Sequence, residues 1–262
     1  MKKLIFTLLL STSSLYVEAQ RAQDNDTSTQ AIAPPTKESV EYKYEDYASQ
    51  PQSAAEKPSN YGSLVIDWGF DFLRNNPSEM DLKFWQSRFM NICLCYNIRL
   101  GYSHFTMSPG IGLGFERYQF AAQKPLGRNA GNRTTEFQDD NRKISSSGLD
   151  ARYIDFLMLE ARFSNNIQDP KESFFIAIGG KLGALWKASY TIKYTEDDET
   201  KTQTTSERFN LNKMRYGFHA RAGWGRFGLC YTYMFSSLFN KNQGPGKTTS
   251  KTHSLGIAID LF

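Results

Sequence analysis

From Tyr61 onward, apolar and polar residues alternate with a period of two, the mark of β-strands whose faces meet different surroundings. Met214, Tyr216, Phe218, Ala220, Ala222 and Trp224 alternate with Arg215, Gly217, His219, Arg221, Gly223 and Gly225. Leu64, Ile66, Trp68, Phe70 and Phe72 oppose Val65, Asp67, Gly69 and Asp71, and Met90, Ile92, Leu94, Tyr96 and Ile98 oppose Asn91, Cys93, Cys95, Asn97 and Arg99. The same pattern runs from Thr106 to Glu116, where Gly and Glu116 oppose Met107, Ile111, Leu113 and Phe115. It returns at Phe174–Lys187, with Lys181 and Lys187 on the polar face, at Leu229–Ser236, and at Ser254–Leu261 with Asp260 on the polar face. Tyr153–Phe163 is the irregular member. Tyr153, Leu157, Leu159 and Phe163 share a face with Asp155, and Glu160 and Arg162 lie opposite. Either a bulge shifts the phase there or Asp155 sits at a rim.

Eight strands result, each long enough for the roughly 9–11 residues of a tilted membrane strand. The connections sort by length. The second, fourth and sixth are short, at Gly101–His104, Asn165–Ser173 and Arg226–Gly228. The odd ones are long, at Asn75–Gln86, Ala121–Asp150, Thr195–Phe209 and Phe239–Ser250. Such alternation predicts an all-β, eight-stranded antiparallel up-and-down transmembrane β-barrel over 61–262, with short periplasmic turns and long extracellular loops.

The N-terminal sixty residues read differently. Lys2 and Lys3, the apolar run Leu4–Leu10 and the Val17-Glu18-Ala19 site form an export signal over 1–19. Residues 20–60 are rich in Gln, Ser, Thr, Ala and Pro and read as a flexible periplasmic leader. No lipobox cysteine follows the signal, and no later apolar run approaches the ~20 residues of a membrane helix. A mean hydropathy of −0.53 suits a barrel as well as a soluble chain, and 14% aromatic residues suit interfacial girdles. The chain closes on Phe262, an aromatic end expected of barrels delivered to an outer-membrane insertion machinery, although its parity puts it with Asp260 and Ala258.

The net charge is +4, or +3 without the two lysines and one glutamate of the signal, too little to argue for nucleic acid. Cys93, Cys95 and Cys230 are odd in number, so no complete disulfide framework follows. Cys93 and Cys95 share a strand face about 7 Å apart, a poor distance for bonding each other, and read as small lumen residues.

GSLVIDWGFDFLRNNPSEMDLKFWQSRFMNICLCYNIRLGYSHFTMSPGIGLGFERYQF, with YIDFLMLEARF and the closing SLGIAIDLF, resembles the outer-membrane β-barrel domain of Bacteroidetes, the PorT-like group. The resemblance covers roughly residues 62–262 and implies a fold and a location in the outer membrane, in contact with its lipid. PorT itself is associated with type IX secretion. The group supplies no catalytic residues to transfer.

An eight-stranded barrel is just wide enough inside for its own side chains. Asp67, Asp71, Arg99, Glu116, Glu160, Arg162, Lys181, Lys187, Arg215, His219, Arg221 and Asp260 are expected to face inward as an interleaved charge network, with the inward glycines leaving them room. That predicts a plugged, non-enzymatic barrel with a structural, interaction or assembly and secretion role. A narrow pore is the first alternative. The second is a lipid A-modifying hydrolase, in which Ser237 and His253, symmetric about Pro245, would face each other near the outer rim. No carboxylate of matching parity stands by to orient the imidazole. No phosphate loop, metal-ligand cluster or nucleophile elbow is present, so no cofactor is expected. His104 reads as an ordinary turn residue. A protein partner would be met by the extracellular loops or by the 20–60 leader.

Overall fold

A computed structural model describes residues 60–262, apart from 130, 132, 133, 167, 170, 171 and 262. The export signal expected at 1–19, the leader expected at 20–60 (Asn60 excepted) and the terminal Phe262 lie outside the described residues. The strands are β1 (Tyr61–Arg74), β2 (Arg88–Arg99), β3 (Phe105–Phe120), β4 (Leu126–Arg128), β5 (Thr135–Phe137) and β6 (Lys143–Ser164). They continue with β7 (Phe174–Glu196), β8 (Glu199–Thr205), β9 (Met214–Trp224), β10 (Phe227–Ser237) and β11 (Lys251–Asp260).

Eight of these are staves. β1, β2, β3, β6, β7, β9, β10 and β11 each pair antiparallel with the next, and β11 returns to β1 from Val65–Asp260 to Arg74–Lys251. The ring is closed, so no stave leaves a row of unpaired peptide groups. Connections at the end where β1 begins and β11 finishes are short, at 100–104, 165–173 and 225–226. Those at the other end are long, at 75–87, 121–142, 197–213 and 238–250. The alternation expected from sequence is present. The long connections hold extra structure, however, in the β4–β5 hairpin and in β8, which pairs with the outer part of β7. Asp197 and Asp198 turn that second hairpin with φ of 53° and 62°, the left-handed pair of a two-residue turn.

β6 and β7 run well past the other staves, and the side-chain code inverts along them. In the belt, Ile154, Leu159, Ile176 and Ile178 point outward and are exposed, while Asp155, Glu160 and Lys181 point inward and are buried. Further toward the loops, Leu149, Ala151, Tyr153, Ala188, Tyr190 and Ile192 are the buried inner set. Arg152, Lys187 and Lys193 are exposed on the outside there. Apolar-out with polar-in suits lipid; polar-out with apolar-in suits water. Two bulges lie near the changeover. The β6–β7 register shifts between Arg152 and Tyr153, where β7 holds the extra Trp186, and again between Asp155 and Leu157, where β6 holds the extra Phe156.

Exposed aromatic residues mark both margins of the belt. Phe105 faces Phe163, and Trp224 faces both Phe174 and Phe227 near the termini. Trp68, Phe72, Phe84 and Trp85 cluster outward near the loops.

Candidate functional site

Alternation along each stave delivers its even or odd residues to one lumen, and the charged ones meet in three tiers. The tier nearest the loops centres on Arg215 of β9. Its Nε donates to Asp155 Oδ1 at 2.9 Å, its Nη2 to Asp155 Oδ2 at 2.7 Å, and its Nη1 to Glu116 Oε1 at 2.5 Å. Lys181 Nζ lies 2.9 Å from Asp155 Oδ2 and donates to Asn91 Oδ1, also at 2.9 Å. The Tyr118 hydroxyl donates to Glu116 and sits 3.1 Å from Thr252 Oγ1, while Ser254 donates to Asp71 Oδ1 at 2.6 Å. The Arg215 guanidinium also lies 4.0 Å from the centre of the Tyr153 ring. Asp155 is fully buried, so these donors replace the water its charge would otherwise require.

Glycines open the space. A Cβ on Gly114 would overlap Arg215 Nη2, and one on Gly183 would overlap Asp155 Oδ1.

The middle tier holds Arg221, His219, Asp67 and Glu160. Arg221 Nε lies 3.3 Å from Asp67 Oδ1, and its Nη1 lies 3.6 Å from Glu160 Oε2. The same Nε donates to His219 Nε2 at 2.8 Å, while His219 Nδ1 lies 2.7 Å from Thr232 Oγ1. An imidazole accepting at Nε2 carries its proton on Nδ1 and is neutral, so His219 acts as a spacer between hydroxyl and guanidinium. Cys93, Cys95 and Cys230 are free thiols, and Cys93 Sγ lies 3.0 Å from Met158 Sδ. In the tier nearest the termini, Arg162 pairs with Asp260 at 3.6 Å and lies over the Phe175 ring at 4.0 Å, and Arg99 lies 5.9 Å over the Tyr61 ring.

Three sequence expectations need correction. Lys187 does not face the lumen: the extra Trp186 of β7 turns it outward, where it is exposed opposite Arg152. Tyr153 is buried inside rather than outside, and the bulge at Phe156 returns Asp155 to the lumen. Ser237 and His253 are not opposite each other. The β10–β11 ladder pairs His253 with Tyr233 and, after a register shift, Ser237 with Lys251. His253 Nδ1 lies 2.9 Å from the Tyr231 hydroxyl, and its ring packs 4.7 Å from Tyr233. The hydroxyl–base pair the sequence suggested is therefore not formed.

Sequence reasoning missed a second feature altogether: the loops fold into a core over the barrel mouth. Met80, Tyr118, Phe120, Leu126, Leu149, Tyr190, Phe209, Leu211, Leu238 and Phe239 are buried together there. Bridges Leu82–Phe120 and Leu211–Phe239, with Thr135 N donating to Gln243 O at 2.8 Å, tie separate loops to one another. Phe209 is fully buried although its φ is +46°, a conformation an aromatic residue keeps only when its surroundings hold it there. On the cap's surface Lys124 bridges Asp139 at 2.8 Å and Glu79 at 3.5 Å. Hydrogen bonds from Arg142 hold the Asp140 carboxyl below the usual carboxylate range. The period-two signal of the outer β6 and β7 was present in the sequence, but with its polarity reversed.

Between cap and first tier, the cavity lined by Glu116, Tyr118, Tyr153, Arg215, Met234 and Thr252 measures about 10 Å³. That is room for about one water. Among the described residues no group of three or more His, Cys, Asp or Glu side chains is placed to hold a metal ion.

A family model described as an outer membrane protein beta-barrel domain matches residues 57–240. Among solved structures, Ail, the attachment invasion locus protein of Yersinia pestis, is 13% identical, with 76% of this chain and 97% of that chain covered at a TM-score of 0.34. Neisserial surface protein A is 10% identical, with 77% of this chain and 99% of that chain covered at a TM-score of 0.35. No curated protein matches the chain.

Proposed function

Because the chain belongs to the outer membrane protein β-barrel domain family, we propose that it is a non-conducting, non-enzymatic scaffold of the outer membrane. Its folded loop cap is the surface it offers to protein partners. The observation that carries this reading is the double closure of the lumen, by the Arg215–Asp155–Lys181 cluster inside and by the apolar core around Phe120, Phe209 and Phe239 above it. A pore needs a continuous column of water, and a cavity of about 10 Å³ between the two layers interrupts it. Within that frame we read the chain as a PorT-like component of assembly or secretion, exported through its 1–19 signal. In this reading the ends of the barrel where β1 begins and β11 ends face the periplasm, and the 20–60 segment is the candidate for docking a periplasmic partner.

Planar-bilayer recording of the full-length mature chain tests the closure. The expected result is no discrete conductance step, and reproducible steps would overturn it. Pull-down from outer membranes with and without residues 20–60 tests the partner reading. A partner lost with the leader locates docking on the periplasmic side, and one retained locates it on the cap.

A further inference from the structure

Cations gather on the outside of the barrel at the level where the side-chain code inverts. Along one outward row run Trp68, Met90, Phe115, Arg152 and Lys187, each the register partner of the next. The row below it, Ile66, Ile92, Leu113 and Ile154, is wholly apolar. The row above begins with Phe70, Arg88 and Arg117, followed by Asp150. Two like-charged pairs therefore stand directly opposite across strands, Arg88 with Arg117 and Arg152 with Lys187. Such pairs destabilise a sheet in water unless something anionic lies between them.

Arg88, Arg117 and Arg152 line two adjoining grooves that share Arg88, Arg117 and Asp150, and Lys187 stands beside them as the register partner of Arg152. One, of about 500 Å³, also reaches Lys83 and Lys193, and the other, of about 400 Å³, reaches Arg152 and Trp68. Two carboxylates line these grooves. Asp150 is held by Arg117 at 2.7 Å, and Glu116 is turned into the lumen toward Arg215. The outer surface is thus left strongly positive. Arginine forks match phosphate oxygens in a way that water alone does not reward.

We propose that this face is a binding site for the phosphate groups of an anionic outer-leaflet lipid, whose acyl chains lie along the apolar row of Ile66, Ile92, Leu113 and Ile154. Charge complementarity and continuity with the lipid-facing belt select the occupant. A soluble anion would find the same arginines, but it would leave that apolar row to other lipid.

The test is native mass spectrometry of the full-length mature barrel in a zwitterionic detergent, titrated with diphosphorylated lipid A or with phosphatidylcholine. Lipid A adducts are expected at about tenfold lower lipid concentration than phosphatidylcholine adducts, from a few charge-assisted hydrogen bonds. The variant Arg88→Gln/Arg152→Gln/Lys187→Gln should lose about that tenfold preference. Arg226→Gln/Lys241→Gln/Lys247→Gln, which removes the same charge elsewhere, should keep it. Arg117 is left intact because it holds Asp150, and Lys187→Gln alone serves if the triple variant does not fold. Equal retention of both lipids would overturn the proposal. So would an equal loss in the control variant.

Discussion

Arg215 of β9 grips Asp155 of β6 through two parallel hydrogen bonds, Nε to Oδ1 at 2.9 Å and Nη2 to Oδ2 at 2.7 Å, across the barrel interior. The two strands are not neighbours in the ring, since β7 lies between them. The pair is therefore a cross-brace rather than part of a ladder. Asp155→Ala would leave Arg215 and Lys181 buried with one carboxylate fewer between them. Breaking such a pair costs about 3–5 kcal/mol. Urea unfolding of the refolded barrel in micelles should show that loss, and Asp155→Ala/Lys181→Met should recover part of it.

Gly114→Ala and Gly183→Ala each drive a methyl group into that brace. Overpacking of this kind costs about 1–3 kcal/mol. Gly62→Ala is the matching control, because a Cβ there meets nothing within 4 Å. Its unfolding midpoint should stay at the parent value.

Phe209→Ala should loosen the cap without opening the ring. Removing a buried phenylalanine costs about 3–5 kcal/mol, and this one packs among loop residues and the outer strand ends. Limited proteolysis should gain a cut within 197–213 while circular dichroism retains the β signal. Loss of both together would show that cap and staves fold as one unit.

His253→Ala and Ser237→Ala should leave the mass spectrum of cellular lipid A unchanged, since Ser237 is paired with Lys251 and not with His253. For His253→Ala a stability loss of about 0.5–1.5 kcal/mol is expected from the Tyr231 hydrogen bond. A new or missing acyl chain in either strain would restore the hydrolase idea.

Maleimide should label Cys93 and Cys230 slowly in the folded barrel and fast after unfolding, because both thiols are buried. Rapid labelling of the native protein would mean that the middle tier admits reagents from the periplasm.

Most of the barrel was legible in the sequence because lipid outside and glycine or charge inside give each stave a high contrast. β1, β2, β3 and β9 carry the faces that alternation assigned, and Asp67, Glu116, Arg215 and Arg221 are buried within the ring. Lys187 failed for a local reason: one extra residue, Trp186, reverses every later side chain of β7, and nothing in the residue types flags it. On β6 the misplaced Asp155 did signal a phase shift, and the bulge at Phe156 is that shift, which carries Tyr153 inward as well. The cap was hidden for a different reason. Beyond the lipid margin the apolar residues turn inward, so Leu149, Ala151 and Tyr153 continue a strand whose expected polarity is the opposite of the belt's. Packing between loops far apart in sequence, such as Leu211 with Phe239 and Thr135 with Gln243, leaves no periodic trace at all.

The seam of the ring joins the first stave to the last, Val65 to Asp260. During biogenesis β1 therefore has no partner on that side until β11 has been synthesised and delivered. Until then the chain carries an open strand edge, the surface most prone to pairing with other copies. Shutting the seam is therefore the step that removes the last open edge, and a chain cut short of β11 would keep it.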